Sequence, residues 1–456
     1  MKYTLIFTLT ITSFLFSQNK INSNRLYSDF AKTQNREQFK DDLQDKIKNV
    51  FSKNLSHSNE NEWINLFKEV GLLLIKDDDI YSAISKASKY SESGSVKFKR
   101  SVAEIIITLY PHEFSSTIDS FYTTTNDPTL YAYCVNYYIQ NKSKTSDNIT
   151  TTLKNRFSNW DKIPQLNFLI YNLENDTIST PPLKDMLNHN FLEGKTIIYS
   201  LHRKNRTFPG ITIIKKPNGE FVKTDSNAIF SVKQLALSVT NLPGYLSQGN
   251  TPQGIFSVVG FYNSPTPSIG PTAAVLTRIP FEVPIQLWYH KSVTKSYWDI
   301  NDYKNLFPKS WQDYLPIYES YYAGKTGRRK IVMHGSVDDL SFYDSLSYAP
   351  MTPSKGCLTT TEIWSDSTGY NIESDQAKLM NAFFSTGQLY GFLVVIDIDN
   401  KEKPVSLEDG STSVSFKLAY KYVESVKVEN GFVYYIYRPY ESSQKKYLYR
   451  EIIRTI

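Results

Sequence analysis

The sequence predicts a multidomain chain, with an all-α N-terminal region (helical hairpins or a solenoid-like stack) followed by a mainly β domain with inserted helices. Three observations predict this. The 456 residues exceed the roughly 100–200 of an ordinary domain. Apolar residues recur at helical spacing from about residue 36 to 190. From about residue 195, β-branched runs bounded by Pro and Gly replace that spacing. The resulting division is 1–17 as a secretion signal, 18–190 helical, 195–400 mainly β, and 401–456 as a small β extension. Hydrophobic content of 40% and aromatic content of 14% supply packed cores and exclude global disorder.

The first residues bear on compartment. Met1-Lys2 is a short positive region, Tyr3 to Phe16 is mostly apolar, and Ser17-Gln18 comes next as a cleavage point. The run is shorter than the roughly 20 apolar residues that span a bilayer. Leu15 at the third position before the cut departs from the small-residue rule, so the cut itself is not fixed by the sequence. No Cys stands after it to take a lipid, and no later stretch reads as a membrane helix. The chain is therefore expected to be exported, to the periplasm or cell envelope, with no integral membrane segment after signal removal.

In the helical region, Trp63, Leu66, Phe67, Val70, Leu73 and Leu74 share one helical face. Asp77-Asp78-Asp79 offers an N-cap to a helix carrying Ile80, Ile84 and Ala87. Val102, Ile105, Ile106 and Leu109 mark a further helix stopped by Pro111, and Asp127-Pro128 opens another. Thr180-Pro181-Pro182 approaches the boundary. Beyond it, Thr196–Tyr199 and Ile211–Ile214 read as strands, and Lys216-Pro217-Asn218-Gly219 reads as a turn after the second. Leu235–Val239, Gly254–Val259, Lys330–Met333 and Phe392–Ile398 are further strand-like runs, and Ser374–Phe384 is helical. Val414–Tyr422 and Gly431–Tyr437 suggest the final β unit.

Several function classes find no support. A net charge of +6, or +5 once Lys2 leaves with the signal, is mild for this length, and no nucleic-acid module is present. The run Arg328-Arg329-Lys330 suits an anionic polymer or a solvated turn. Gly324-Lys325-Thr326 lacks the upstream glycine of a phosphate loop, since that position is Glu319. The six histidines form no metal-ligand spacing, so neither metal nor cofactor is expected.

Two cysteines, Cys134 and Cys357, are too few and too far apart for a disulfide framework. Cys134 lies on an apolar helical face with Leu130, Tyr137 and Tyr138 and reads as a buried hydrophobe. Cys357 sits among Gly, Lys, Ser and Thr, where plain burial is less natural. A thiol attacks as thiolate and needs a base to take its proton. His334, closing the strand Ile331-Val332-Met333, stands twenty-three residues upstream and is the candidate base. Gly356 removes a side chain where a substrate approaches, and backbone N–H groups at Gly356 and Cys357 are candidates to face an oxyanion.

The segment resembles the L,D-transpeptidase catalytic-domain family. Its signature is His-Gly, a spacer, then Ser/Thr-x-Gly-Cys and an apolar residue, here His334-Gly335 and Ser354-Lys355-Gly356-Cys357-Leu358. A second motif, Thr-Pro-x-Gly-x-Phe/Tyr, stands upstream as Thr251-Pro252-Gln253-Gly254-Ile255-Phe256, and a closing helix and apolar strand match Ser374–Phe384 and Gly391–Ile396. The likeness covers residues 195–400. It implies a mainly β domain acting on peptidoglycan stem peptides through a thioester acyl-enzyme, with Cys357 as nucleophile and His334 as base. The Gly335 carbonyl would orient the imidazole and Ser354 would shape the loop. Two departures bear on substrate and acceptor: a spacer of 19 residues, with Val337–Ala349 as an added loop over the cleft, and Thr359 where Arg or Asn is usual. Resolution of the acyl-enzyme by an amine gives a transpeptidase, and by water an L,D-carboxypeptidase or related murein peptide hydrolase. The remaining alternative is a non-catalytic wall-binding or scaffolding protein whose helical region holds protein partners.

Overall fold

The computed structural model describes residues 20–175, 178–190 and 192–411, and beyond them the backbones of three strands. The secretion signal lies outside the described residues. The described chain up to Pro181, together with His189–Leu407, forms one compact unit that holds both the helices and the large sheet. The second unit is Pro182–Asn188 with the chain from Glu408, and contains an antiparallel three-stranded sheet, Tyr420–Glu429, Phe432–Pro439 and Tyr447–Glu451. The first part of the expected run Val414–Tyr422, and Gly431, fall outside the described residues.

The helical region obeys its local signals. Helices α1 (Thr33–Ser52), α2 (Glu60–Leu72), α3 (Asp78–Tyr90), α4 (Val96–Leu109), α5 (Ser115–Thr124), α6 (Pro128–Asn141), α7 (Ser146–Arg156) and α8 (Pro164–Glu174) run in sequence. Asp77 accepts from the Ile80 N–H and Asp127 from the Leu130 N–H, each at 2.8 Å, satisfying donors that the first helical turn leaves open. Trp63, Leu66, Phe67 and Val70 are buried, as one apolar face requires. Leu73 and Leu74 lie just past the end of α2, where Leu74 turns left-handed. Alternate helices pack side by side: α2 on α4, α4 on α6, and α6 on α8, with α3, α5 and α7 lying against that row.

The large sheet is mixed and has eight strands: β1 (Thr196–Arg203), β2 (Gly210–Lys215), β3 (Val232–Gln234), β4 (Gly254–Tyr262), β5 (Ala274–Arg278), β6 (Val332–His334), β7 (Leu358–Thr359) and β10 (Gly391–Asp399), in the order β3-β2-β1-β10-β4-β5-β6-β7. Strands β8 (Glu362–Trp364) and β9 (Asn371–Ser374) pair separately. Beyond β2 the chain turns at Asn218-Gly219, with Gly219 at φ +89°. The two edges meet. Leu235, one residue past β3, exchanges both backbone hydrogen bonds with Thr359 at 2.8 Å, so the sheet curls into a near-barrel. The expected strand Leu235–Val239 is reduced to single bridges at Leu235 and Ser238, because the chain here passes from the sheet edge to the loop bearing Cys357. Strand β5 is not expected from the sequence, since its short Ala-Val-Leu run suits a helix equally well.

The core fixes which way the candidate nucleophile faces. Met333 of β6 and Leu358 of β7 are register partners, fully buried in one cluster with Phe256, Leu393 and Phe383, the last from the helix Asp375–Phe384. Their chain neighbours His334 and Cys357 therefore project from the opposite face. A one-residue slip of β7 would place Leu358 in the open and Cys357 in the core, at about 1.5–3 kcal/mol for the leucine alone. Leu358→Ala is expected to destabilise the protein by about 2–5 kcal/mol in urea unfolding, whereas Ile372→Ala, at a residue 61% exposed, should change stability by less than about 0.5 kcal/mol.

Candidate active site

The loop before β7 is tied by its own side chains. The Ser354 hydroxyl accepts from the Gly356 N–H and donates to the Cys357 carbonyl, both at 2.9 Å. Thr251, from the upstream motif, donates to the Gly356 carbonyl at 3.1 Å. Gly356 has φ +106°, and a Cβ there would fall on the Arg328 guanidinium and the Gly249 carbonyl. The glycine is required by its backbone angle and by the buried cation beside it, and its N–H, one of the two expected to face an oxyanion, donates to Ser354. Thr359 is buried and donates to the Thr352 carbonyl at 2.6 Å, so it holds the loop.

Arg328 is buried beneath that loop and donates to the carbonyls of Gly244, Gly249 and Asn250. Burial pushes its guanidinium down to about 10, opposed first by Glu319. Glu319 is itself raised to about 7 by burial and accepts from the Gln253 N–H at 2.9 Å. Gly254, at φ +122°, has no room for a Cβ beside Ser320 and Ile317. Thus the Thr251–Phe256 motif and the Cys357 loop share one buried polar layer. The sequence marks neither Arg328, read there as part of a basic run, nor Glu319 as buried, because a charged residue reads as surface until its partners are known.

His334 is buried, with Nδ1 2.6 Å from the Gly335 carbonyl. A carbonyl only accepts, so Nδ1 carries the proton and Nε2 is the basic nitrogen. Burial lowers the imidazole below its ordinary value, and the Gly335 contact opposes this. A Cβ on Gly335 would land on the Glu362 carboxyl, which burial pushes up to about 7 and which accepts from Ser374 at 2.5 Å.

Strands β6 and β7 are parallel, pairing Met333 with Leu358 and His334 with Thr359. His334 and Cys357 are therefore diagonal neighbours on one face, with Cα atoms roughly 8 Å apart from ordinary strand spacing. Among the described residues no hydrogen bond joins thiol to imidazole. The sulfur instead lies 3.7 Å from the carbonyl of Lys330, a residue in the left-handed region at φ +62°. Burial raises the half-buried Cys357 thiol above its ordinary value of 9.0, while the Val332 amide and the Arg328 charge act the other way. With the thiol raised and the imidazole lowered, both are neutral at pH 7. A thiol and an imidazole shifted in these directions do not form a standing thiolate–imidazolium pair.

Cys357 opens on a cavity of about 410 Å³ lined by Arg328, Arg329, Lys330 and Lys355 together with Ser247 and Gln248. No residue of Val337–Ala349 lines it. That segment is instead tied to the helical region, where Arg36 donates to the Val337 carbonyl, Lys40 pairs with Asp339 and Tyr343 donates to the Leu72 carbonyl. The added loop thus does not cover the cleft at Cys357. Helices also back the site, since Tyr133 of α6 donates to the Ser247 carbonyl at 2.9 Å. Cys134 is fully buried, and both cysteines are free. Among the described residues there is no group of three or more His, Cys, Asp or Glu that would hold a metal, and no helix long and apolar enough to cross a membrane.

This geometry has two measurable outcomes. Thr359→Val leaves the buried Thr352 carbonyl without that donor and should cost about 1–3 kcal/mol in chemical unfolding. Alkylation of Cys357 by a neutral reagent should climb continuously from pH 7 past 9, because the rate tracks the thiolate fraction; a plateau already reached at pH 7 would instead indicate a preformed ion pair. Comparison of the chain with family models, with curated proteins and with solved structures finds no match.

Proposed function

We propose that the protein is an exported cysteine acyltransferase of cell-wall peptides, an L,D-transpeptidase in which Cys357 is the nucleophile and His334 the general base. The observation that carries this reading is a half-buried thiol open to a cavity, set diagonally on the same sheet face from a buried imidazole whose Nδ1 is fixed by the Gly335 carbonyl. Support also comes from the motif likeness around Thr251, His334 and Cys357, which joins the near-barrel to an L,D-transpeptidase-like domain preceded by a helical domain.

In this reading, Nε2 of His334 takes the Sγ proton as sulfur adds to a peptide carbonyl carbon. The Cys357 N–H is left as the candidate donor to the oxyanion, since the Gly356 N–H is occupied. The C–N bond then breaks and the departing amine takes the proton from His334, leaving a thioester. An acceptor amine adds to the thioester, and the sulfur leaves as a thiol. Gly335, Ser354 and Gly356 position the two reacting groups.

The test is incubation with purified peptidoglycan fragments and analysis of the products by mass spectrometry. Crosslinked or exchanged stem peptides are expected, and trimmed peptides alone would make the enzyme a carboxypeptidase on the same site. Cys357→Ala should abolish turnover and His334→Ala should lower it by about 10²- to 10⁴-fold. The double variant should be no worse than Cys357→Ala, because the two groups act as a unit. Full turnover in Cys357→Ala, or no covalent chemistry in the intact protein, would favour a binding or scaffolding role.

A further inference from the structure

We infer that Glu362 is a positioning residue of the acyl-transfer site, whose carboxylate acts on His334 through the Gly335 peptide and supports the imidazolium formed as Cys357 gives up its proton. This deepens the reading of His334 as the base of Cys357 and rests on it. The chain past Cys357 returns over the end of β6. There the Thr360 N–H donates to the His334 carbonyl at 3.1 Å, Gln376 to the Met333 carbonyl at 3.2 Å, and the Trp364 indole to the Ser336 carbonyl at 3.0 Å. The carbonyls on either side of Gly335 are thus tied down, and that of Gly335 is left to hold Nδ1 of His334. Glu362 of β8 completes this backing. Its carboxyl lies where a side chain at position 335 would stand, with Oε2 the oxygen nearer the glycine.

Glu362 is buried, and its two oxygens differ. Oε1 accepts from the Ser374 hydroxyl at 2.5 Å, whereas Oε2 has no hydrogen-bond partner among the described residues. No cation answers its charge. Glu373 of β9 and Asp375 of the helix that follows share Lys378, and Lys233 of β3 acts on Glu373. On the β6 side stand His334 itself and, beyond Ser336, Asp338 with Arg36 opposing it. Among the described residues none of these cations forms an ion pair with Glu362. A buried carboxyl without a counter-ion is costly, and such groups concentrate where chemistry uses them. Burial pushes this one up to about 7, with Ser374, Thr272 and Trp364 opposing and Asp375 adding to the rise. Its charge therefore appears in the range where His334, lowered by burial, is already a neutral base. An anion behind Gly335 favours the imidazolium that forms as Nε2 takes the thiol proton, and below pH 7 that support is lost as the carboxyl protonates.

The test is acetylation of Cys357 by p-nitrophenyl acetate, a neutral ester that needs no peptidoglycan. Sulfur adds to the acetyl carbon, its proton passes to Nε2 of His334, and the ester C–O bond breaks to release p-nitrophenolate. Rates on the full chain are read as acetyl mass at Cys357 by peptide mapping, from about pH 6 to 9. Glu362→Gln keeps the volume and an oxygen for Ser374 but cannot ionise. The ratio of wild-type to Glu362→Gln rates is expected to climb from about one at pH 6 to roughly three- to tenfold at pH 8. In a His334→Ala background the same change should leave the rate unaltered at every pH, because the carboxylate acts through the imidazole. Ser374→Ala removes the donor to Oε1 and so raises the pH at which Glu362 ionises. Its rate relative to wild type should dip near pH 7 and recover toward pH 9, which decides the matter even where Glu362→Gln does not fold. A ratio flat with pH, a climb that persists without His334, a pH-independent deficit in Ser374→Ala, or a Cys357 that the ester does not acetylate would overturn the role of Glu362. Because the ester bypasses stem peptides, the expected climb beside absent muropeptide products would sink the peptide-transfer reading and leave Glu362 in place, and crosslinked muropeptides beside a flat ratio would do the reverse.

Discussion

Arg328 is the residue on which the geometry around Cys357 depends. A guanidinium has five donors and is costly to bury unless they are used. Here it is met by the carbonyls of Gly244, Gly249 and Asn250, with Glu319 supplying opposite charge nearby. Those carbonyls belong to the segment that runs into Thr251, whose hydroxyl holds the Gly356 carbonyl. One cation thereby sets the height of the loop carrying Cys357 above the sheet. It also explains why position 356 admits no side chain.

The hydrophobic core acts on the same loop from below. Met333 and Leu358 lock the register of two short parallel strands, which on their own contribute few hydrogen bonds. Parallel pairing places His334 and Cys357 on one face, and closure of the sheet through Leu235 and Thr359 keeps the second strand from fraying. Polar and apolar constraints therefore converge. The core decides the direction in which the thiol faces, and the Arg328 layer decides how far it stands from the sheet.

The helices join this arrangement as a wall. Phe168 of α8 packs against Tyr245 and Tyr322, with ring centroids 4.9 and 5.3 Å away. Tyr133 of α6 bridges the Glu104 carboxyl and the Ser247 carbonyl. Glu104 is raised to about 7 by burial, and its field reaches Lys355. Removal of the helical region would expose the Ser247 backbone and free Lys355, so the helices and the sheet share one electrostatic environment at the cavity.

Taken alone, the amino-acid order determined local features. Asp77 and Asp127 cap their helices, Asn218-Gly219 turns the chain beyond β2, and Cys134 is buried on an apolar helical face, because each outcome is decided by neighbours a few positions away. The candidate residues His334 and Cys357 were also legible as residue types in a recognisable order, as was the contact of His334 with its own neighbour Gly335. The rest was decided by the tertiary fold. Thr251 reaches Gly356 across 105 positions, Glu319 reaches Gln253 across 66, and Arg328 reaches Gly244 across 84. The run Arg328-Arg329-Lys330 reads as one basic patch in sequence, yet the fold buries the first residue and turns the other two toward a cavity. The cost of burying a charge depends on the groups that meet it, and those groups are brought together only when the sheet closes.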